Sequence, residues 1–456
     1  MNTNKIYYND FFALNSKELQ ERIKDSGHNI EEDFHRKNVY GKINDINEVA
    51  ITDLLKDNIH MFVYQDKLYV YKDGHYQCDS KGKMIMSVIK KILLGKKNNE
   101  STRQSIYKSL LSDYDLEVTE EEVNDIPDSW IVFKNMIFDL KTGEIIKDTF
   151  NYKTTFFINT KYYPDKEDSN IIIEFLRQFC EDEENYKMLM QFISLCFTIT
   201  DKYKVVMFIC GGGDNGKSLL NKILTYIIGR KNVSNTPIEK IKGRFGYQAI
   251  EGKLLNVNSE LKRDIYESDM YSMKSMSGGE SLEFEQKFSK AHSANVYAKF
   301  MFMGNYLPTI DGYIDKAFLS RLLIINTEFE PDEKDVDYFY KLQEGVNSFI
   351  TEVLKYGRQV FEEGTVYRSD DSKLLVEDYE KKGGSLDYFL EKYTIPSESD
   401  IKTKDLRLKY NEYLNSINKP KVTGQEFNKL LRENNKCKIK KKSSNEWYLL
   451  STETVE

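Results

Sequence analysis

The feature that most restricts how this chain can fold is an apolar run that leads directly into a glycine-rich loop. Residues 205–210 have the pattern of a buried strand, and the next eight residues, Gly211-Gly212-Gly213-Asp214-Asn215-Gly216-Lys217-Ser218, satisfy GxxxxGK[ST]. A helical pattern covers 218–228 and stops at Gly229. This order of strand, loop and helix predicts a phosphate-binding loop at the end of a core strand.

Each residue type in this loop has a chemical role in binding phosphate groups. Glycines let successive backbone amides curl around phosphate groups, where a Cβ would clash. Lys217 supplies a positive charge to the β- and γ-phosphates, the Ser218 hydroxyl is a ligand for Mg²⁺, and the helix adds the positive end of its dipole. We therefore expect residues 211–219, including Leu219, to bind ATP with Mg²⁺, and Lys217 to act in its hydrolysis.

Residues 201–330 alternate between strand-like and helical patterns, which is typical of a parallel sheet with crossover helices. One of the later strands ends in Asn258-Ser259-Glu260, so we expect Glu260 to polarise an attacking water and to help hold Mg²⁺. Asn305 follows a buried run at 296–303 and is expected to orient the water or sense the γ-phosphate. Arg321 directly precedes another apolar run, from which its guanidinium is expected to cross a subunit interface.

Together these motifs resemble the superfamily 3 helicases of the AAA+ class, in the phage, plasmid and poxvirus primase–helicase branch. The resemblance extends to Lys274 with Ser277-Gly278-Gly279-Glu280, to Gly304-Asn305-Tyr306-Leu307-Pro308 and to Phe318-Leu319-Ser320-Arg321. In size and layout the chain is similar to the Rep replication-initiator helicases of staphylococcal pathogenicity islands. Residues 133–143 also loosely match a pattern of the domain that precedes the motor in this branch.

The resemblance implies a mechanism and partners. It implies a ring, usually a homo-hexamer, with ATP bound between subunits, Asn305 as the sensor and Arg321 as an arginine finger that acts in trans. It also implies translocation on single-stranded DNA in the pore of the ring. A hairpin between Gly279 and the sensor strand is expected to project into this pore and contact DNA, with the following candidate residues: Lys274, Lys287, Phe288, Lys290 and His292.

The C-terminal region has the pattern of a second DNA-binding element. The segment 418–442 carries nine basic and two acidic residues, and Thr423 with Glu426 forms a capping-box pattern at the start of a helix. A helix followed by a basic hairpin predicts a winged helix that recognises the double-stranded DNA of a replication origin. The candidate contacts are Gln425, Asn428, Lys429, Arg432, Lys438 and Lys440.

We predict an α/β fold, in which an AAA+ P-loop motor with a central parallel sheet follows an α+β accessory domain and precedes a winged-helix-like domain. The predicted segments are a helical N-terminal segment (1–60), the accessory domain (61–170), a helical collar (171–200), the motor (201–345), a helical connector with a Gly383-Gly384 hinge (346–384) and the winged-helix-like domain (385–456).

Composition limits the partners. Basic residues number 66 and acidic residues 73, so DNA binding must come from local patches and not from an overall positive field. No run approaches the ~18 apolar residues of a membrane span, the N-terminus lacks the apolar stretch of a signal peptide, and the five cysteines include no CxxC pattern. We expect a cytoplasmic protein with reduced cysteines and no membrane segment.

Two other functions are compatible with the same sequence. The first is a non-motor origin-binding protein that uses ATP only as an assembly switch. The second is the helicase part of a primase–helicase. Its first ~160 residues show no zinc pattern and no convincing pair of polymerase aspartates, so we expect any primase to be a separate protein. Each candidate residue could also have a purely structural role in place of the functional one. Glu260 could be a solvated strand end, Asn305 part of a turn and Arg321 a surface residue, and the two basic regions could be solvated charges.

Overall fold

The computed structural model describes residues 6–242, 244–278, 281–284, 292–311, 316–331, 335–383, 386–395, 401–433, 438–443, 446–450 and 453–454. The chain divides into two compact units, Met1–Pro164 and Asp165–Glu456. Among the described residues, no helix is both long enough and apolar enough to pass through a lipid bilayer.

The first unit combines helices with short antiparallel sheets. Its helices are α1 (Tyr8–Ala13), α2 (Ser16–Asp25), α3 (Ile30–Asp33), α4 (Glu48–Asn58), α5 (Lys83–Ile92) and α6 (Glu100–Leu111). Its strands are β1 (His35–Lys37), β2 (Ile43–Ile46), β3 (Met61–Tyr64), β4 (Lys67–Lys72), β5 (His75–Cys78), β6 (Trp130–Val132), β7 (Ile137–Asp139) and β8 (Ile145–Ile146). The strands pair as β1-β2, β3-β4-β5 and β6-β7-β8, and all of these pairs are antiparallel.

Local signals explain much of this unit. An Asp73-Gly74 turn joins β4 to β5, and both residues have positive φ, at 54° and 90°. Helices α5 and α6 are separate because a short 3₁₀ turn at Gly95–Lys97 and Asn99, the N-cap of α6, lie between them. The pair β1-β2 was not expected in the helical segment 1–60, since its polar strands lack an apolar alternation.

The second unit begins with two helices and then builds the central sheet. Its elements up to the end of the sheet are α7 (Ile171–Cys180), α8 (Glu183–Leu195), β9 (Val206–Gly211), α9 (Lys217–Ile228), β10 (Val233–Ser234), α10 (Ile238–Ile241), α11 (Arg244–Ile250), β11 (Leu255–Asn258), β12 (Asp264–Tyr266), α12 (Glu267–Met276), β13 (Ser281–Phe284), β14 (His292–Asn295), β15 (Lys299–Gly304), β16 (Thr309–Asp311), α13 (Lys316–Leu319) and β17 (Leu322–Thr327).

Five strands form one parallel sheet in the order β10-β11-β15-β9-β17. Every residue of β9, β11 and β15 is buried, and β9 and β15 accordingly appear in the sequence as nearly continuous apolar runs. In β11, by contrast, Leu255 and Val257 alternate with two buried asparagines. The expected α/β fold with a central parallel sheet is confirmed. Because parallel strands all end at the same edge, the loops after β9, β11 and β15 meet there.

The rest of the second unit is largely helical and ends in short strands. Its elements are α14 (Tyr338–Leu342), α15 (Val346–Glu363), α16 (Asp370–Gly383), α17 (Leu386–Tyr393), β18 (Thr394–Ile395), β19 (Ile401–Lys402), α18 (Thr403–Ser416), α19 (Gly424–Glu433), β20 (Lys438–Ser443), β21 (Glu446–Leu450) and β22 (Glu453–Thr454). The predicted hinge falls where α16 ends at Gly383, and Gly384 lies outside the described residues.

The C-terminal elements follow the order helix, two strands, two helices and three strands. Strands β19, β21 and β20 form an antiparallel sheet. The expected capping box is present at α19, because the Thr423 N–H donates to Glu426 Oε2 at 2.7 Å and the Glu426 N–H donates to Thr423 Oγ1 at 3.3 Å. Phe427 and Leu431 anchor α19 in a separate apolar core with α17 and α18.

Candidate functional site

The glycine loop connects the carboxyl end of β9 to the amino end of α9. At Gly211, a Cβ would lie 2.1 Å from the Thr327 carbonyl oxygen at the end of β17. Gly216 has φ +83°, and its Cβ would lie 2.9 Å from the Phe175 ring on α7. Both positions therefore require glycine, and together they fix the path of the backbone from strand to helix.

Lys217 is almost completely buried in the first turn of α9, with 8% of its surface exposed. Its ammonium group donates to the carbonyl oxygens of Gly211 at 2.8 Å and Gly212 at 2.7 Å, and to Asn215 Oδ1 at 2.6 Å. Burial lowers the pKa of Lys217, because the charged form loses its hydration. The ammonium therefore lies directly over the loop, where phosphate oxygens would be stronger, charged acceptors.

A cavity of about 1240 Å³ opens beside the loop. One wall is the loop with the start of α9, the second is α7 with the turn before α8, and the third is the chain after β17 with α14. The lining residues are Phe175, Arg177, Gln178, Glu181, Asp182, Glu183, Gly213, Asp214, Asn215, Gly216, Lys217, Ser218, Leu219, Lys222, Ser259, Asn305, Phe329, Glu330, Pro331, Asp335, Val336, Tyr338 and Phe339. This volume is ample for a nucleotide.

The charge of the cavity favours cations over anions. Six acidic and three basic side chains are among its described lining residues. Neighbours offset two of the acids: Arg177 pairs with Glu183, and Lys341 pairs with Asp335 at 2.7 Å. An anionic ligand would therefore require more positive charge than these residues supply, from a divalent cation or from another chain.

At the end of β11, Ser259 and not Glu260 lines the cavity. Ser259 Oγ accepts a hydrogen bond from Asn221 Nδ2 of α9 at 2.9 Å, which ties the end of β11 to the phosphate-loop helix. Glu260 is exposed, and its backbone N–H donates to Asn258 Oδ1 at 3.2 Å. The expected roles of Glu260 in water activation and metal binding remain predictions.

Asn305 lies in the cavity wall directly after β15. The last residue of that strand, Gly304, is paired with Cys210 of β9, so Asn305 follows the strand next to the phosphate loop. Burial raises the pKa of the Cys210 thiol to about 12, so this thiol stays protonated well above neutral pH. Asn305 thus lies beside the phosphate loop, and its role as a γ-phosphate sensor remains a prediction.

Arg321 lies at the opposite end of the sheet from the phosphate loop of its own chain. Its carbonyl oxygen accepts a hydrogen bond from the N–H of Val206, the first residue of β9, at 2.8 Å. From Val206 to Gly211 the strand extends roughly 16 Å at about 3.3 Å per residue. The Arg321 guanidinium donates to the Lys274 carbonyl near the end of α12. It therefore faces α12 and not the loop that follows β9.

The residues predicted to contact DNA in a pore belong to the last turn of α12 and to the region that follows it. Lys274 is in the last turn of that helix, and β13 and β14 pair as the two strands of the expected hairpin. Lys287, Phe288 and Lys290 lie outside the described residues, and for His292 the structure describes the backbone strand alone.

The C-terminal candidates share one face of α19. Gln425, Lys429 and Arg432 are exposed and Asn428 is half-buried, whereas the opposite face packs into the core. The other two candidates, Lys438 and Lys440, lie on β20, whose backbone pairs with β21.

Sequence reasoning missed the aromatic wall of the cavity. The rings of Phe329 and Tyr338 pack edge-on against Phe175, with centroids 6.3 Å and 6.2 Å from it, and Phe339 packs edge-on against Tyr226 at 6.1 Å. Phe175 belongs to an apolar helix pattern that indicates only a core position. No local pattern shows that the chain after β17 returns to the phosphate loop, so these residues carried no signal in the sequence.

Comparisons with known proteins match both units. A family described as D5 N terminal like matches residues 48–181, and a family of unknown function, DUF5906, matches residues 209–321. The chain is similar to "Putative helicase 121R" of Invertebrate iridescent virus 3, at 21% identity over 338 residues. This match covers 64% of the chain but 36% of the relative, so the chain spans about a third of that protein's length. The match to DUF5906, over residues 209–321, contains the phosphate loop, Glu260, Asn305 and Arg321.

Two solved structures of the NrS-1 C-terminal region are also similar to the chain, each at 14% identity. The first has a TM-score of 0.49 and covers 87% of this chain and 97% of that one. The second, of residues 305–718, has a TM-score of 0.48 and covers 88% and 98%.

The site residues fit ATP and Mg²⁺. The glycine cradle and the buried ammonium of Lys217 suit phosphate groups, and Ser218 lines the cavity beside them. No group of three or more His, Cys, Asp or Glu side chains that could hold a metal occurs in the part of the chain that the structure describes. Mg²⁺ usually keeps several waters and takes phosphate oxygens as ligands in nucleotide sites, so a single hydroxyl such as that of Ser218 would fit it.

We predict that Gly216→Ala destabilises the protein by about 1–3 kcal/mol in the absence of nucleotide, because it combines a positive φ with a Cβ too close to Phe175. Gly212→Ala is the matched control, since a Cβ at that position meets nothing within 4 Å. Urea unfolding of both variants measures the difference. Equal stability of the two would contradict the packing described for the loop.

Proposed function

We propose that this protein is an ATP-dependent DNA helicase that initiates replication of a mobile genetic element as a ring of identical subunits, with a hexamer as the expected form. The observation that carries the proposal is the position of the two charged groups. Lys217 lies just after one end of the strand pair β9-β17 and Arg321 lies at its other end, and β9 extends roughly 16 Å between these two ends. The similarity to a viral protein named as a helicase supports the class of activity.

Residues of one chain bind the nucleotide. Lys217 and the loop amides hold the phosphates, and Ser218 provides a ligand for Mg²⁺, which supplies positive charge to the β- and γ-phosphates. Asn305 senses the γ-phosphate, and Glu260 takes the proton of the attacking water. The aromatic wall formed by Phe329, Tyr338 and Phe339 offers an apolar surface for the base of the nucleotide.

A neighbouring chain completes the site. Arg321 faces away from its own phosphate loop, so it serves a triphosphate only across a subunit interface. The excess of acidic side chains in the cavity supports this arrangement, because a guanidinium from outside supplies charge that the lining residues lack. In this account the transition state for hydrolysis forms only within an assembled ring.

DNA binds at two places in the proposed ring. The hairpin of β13 and β14 projects into the pore, where Lys287 and Lys290 contact phosphates of a single strand and Phe288 stacks on a base or sugar. The exposed face of α19 binds origin duplex, and the order of helices and strands around it supports a winged helix. A separate primase would act on the strands that the ring separates.

We predict that Lys217→Ala loses both ATP hydrolysis and strand separation, because the loop loses its cation. Arg321→Ala is expected to lower turnover by roughly 10³–10⁵, the range known for arginine fingers, with ATP affinity largely kept. Steady-state hydrolysis and fluorescent-nucleotide titration measure the two effects. Normal turnover in Arg321→Ala would contradict a catalytic role for this residue. Retained unwinding in Lys217→Ala would contradict the proposed motor activity.

The two DNA surfaces are expected to be separable. Lys287→Ala/Lys290→Ala should lose unwinding of forked DNA and keep binding to origin duplex. Lys429→Ala/Arg432→Ala should weaken duplex binding and reduce the slope of log affinity against log salt by about 0.9 for each lost phosphate contact, with ATP hydrolysis unchanged. Unimpaired unwinding in the first variant would favour the alternative, an origin-binding protein that uses ATP only as an assembly switch.

A further inference from the structure

Among the strands that the structure describes, β17 forms the edge of the parallel sheet, with a neighbouring strand on one side of its backbone only. On the inner side it pairs with β9 from Leu322↔Val206 to Thr327↔Gly211. On the outer side, the exposed N–H and C=O groups need other partners, since an unpaired strand edge is a liability for a folded protein. The segment that begins α16 supplies these partners through side chains.

Arg368 and Ser372 take the place of a further strand along this edge. The Arg368 guanidinium donates through one nitrogen to the Leu322 carbonyl and through the other to the Ser320 carbonyl. Ser372 Oγ accepts a hydrogen bond from the Ile324 N–H at 2.9 Å. The groups at 320, 322 and 324 all face outward, which is the period of two that an extended strand requires.

The two carbonyls that Arg368 holds are those on either side of Arg321. On the inner side, the Arg321 carbonyl accepts the Val206 N–H at 2.8 Å. The backbone at Arg321 is therefore fixed from both sides, by β9 on one side and by the fork of Arg368 on the other. A planar guanidinium with two parallel donors suits this task, because it holds two acceptors at a set spacing.

Arg368 is itself held in place by α8. The N–H of Tyr367 donates to Gln191 Oε1 at 2.6 Å, and Ser369 Oγ donates to Asn185 Oδ1 at 2.7 Å. Both α8 side chains are buried, Gln191 completely. Burial lowers the pKa of Arg368, which means that the charged guanidinium is kept at this edge at a cost in hydration. A neutral polar side chain such as that of Ser372 would satisfy the backbone groups of this edge without the loss of hydration of a charged group.

We propose that Arg368 is a positioning residue for Arg321, which it holds in the orientation needed to reach the triphosphate of the neighbouring subunit. This inference rests on the proposed function, in which Arg321 acts in trans. Arg368 does not itself act as the finger, because both terminal nitrogens of its guanidinium are committed to carbonyls of its own chain. Its loss would impair the chain as a donor of the finger and leave that chain's own phosphate loop intact.

The test uses mixed subunits of the full-length protein. Alone, Arg368→Gln should lower kcat for ATP by ~10²-fold, the scale expected when a catalytic group is displaced by about 1 Å, with nucleotide affinity kept. Mixed with Lys217→Ala, which retains a normal finger, Arg368→Gln should regain hydrolysis to the same level as an equal mixture of Arg321→Ala and Lys217→Ala. Mixed with Arg321→Ala, it should regain nothing, because both chains then lack a working finger.

Ser372→Ala is the matched control. It removes a side-chain partner from the same edge but leaves both carbonyls beside Arg321 held, so it should lower thermal stability and keep kcat near the wild-type value. Arg368→Lys, which retains the charge but not the fork, is used in the same mixtures if Arg368→Gln fails to fold, and it is expected to be deficient in the same way.

The outcomes separate two failures. If Arg321→Ala and Lys217→Ala do not restore each other, the shared site of the proposed function is wrong. If they do, but Arg368→Gln gains nothing from Lys217→Ala or gains as much from Arg321→Ala, then Arg368 only stabilises the sheet and the positioning role is overturned. Wild-type kcat in both Arg368 variants would overturn it equally.

Discussion

The backbone pairing between β9 and β17 is the interaction on which the rest of the structure depends. At one end it brings Thr327 beside Gly211, where the glycine loop turns and Asn215 donates to the Thr327 carbonyl at 3.4 Å. At the other end it places Arg321 beside Val206. A single rigid strand pair thus fixes the phosphate loop and the arginine at a constant separation. Since neither end can approach the other within one chain, both can act on one triphosphate only when two chains associate.

The charges around the cavity also favour a nucleotide site that two chains share. Lys217 is compensated by oxygens of its own loop, and the cavity beside it carries more acidic than basic side chains. Such a cavity binds a triphosphate poorly unless cations accompany it, and this makes occupancy sensitive to Mg²⁺ and to the neighbouring subunit. In the proposed ring, the contacts that run from α8 through the start of α16 to Ser320 and Leu322 would support the Arg321 finger that each subunit offers its neighbour.

Local sequence signals predicted the parts of the fold that local chemistry determines. The phosphate loop, the central parallel sheet and the capping box at Thr423 follow from residues close together in the chain. Arg368 could not be found in this way, because its acceptors are 46 and 48 residues away and are backbone carbonyls, which leave no pattern in the sequence. The aromatic wall could not be predicted for a related reason, because Phe175 and Tyr338 are in contact only through tertiary packing. Ser259 lines the cavity and the next residue, Glu260, is exposed, and the strand pattern alone does not show which of the two faces the cavity.

The proposed requirement for two chains at each site is tested by the specific ATPase activity of the wild-type protein over a wide range of dilution. Mass photometry at each concentration reports the fraction of assembled subunits. If each site needs two chains, activity per subunit falls in parallel with the assembled fraction and approaches zero for monomers. Full activity per subunit at concentrations where only monomers remain would contradict it.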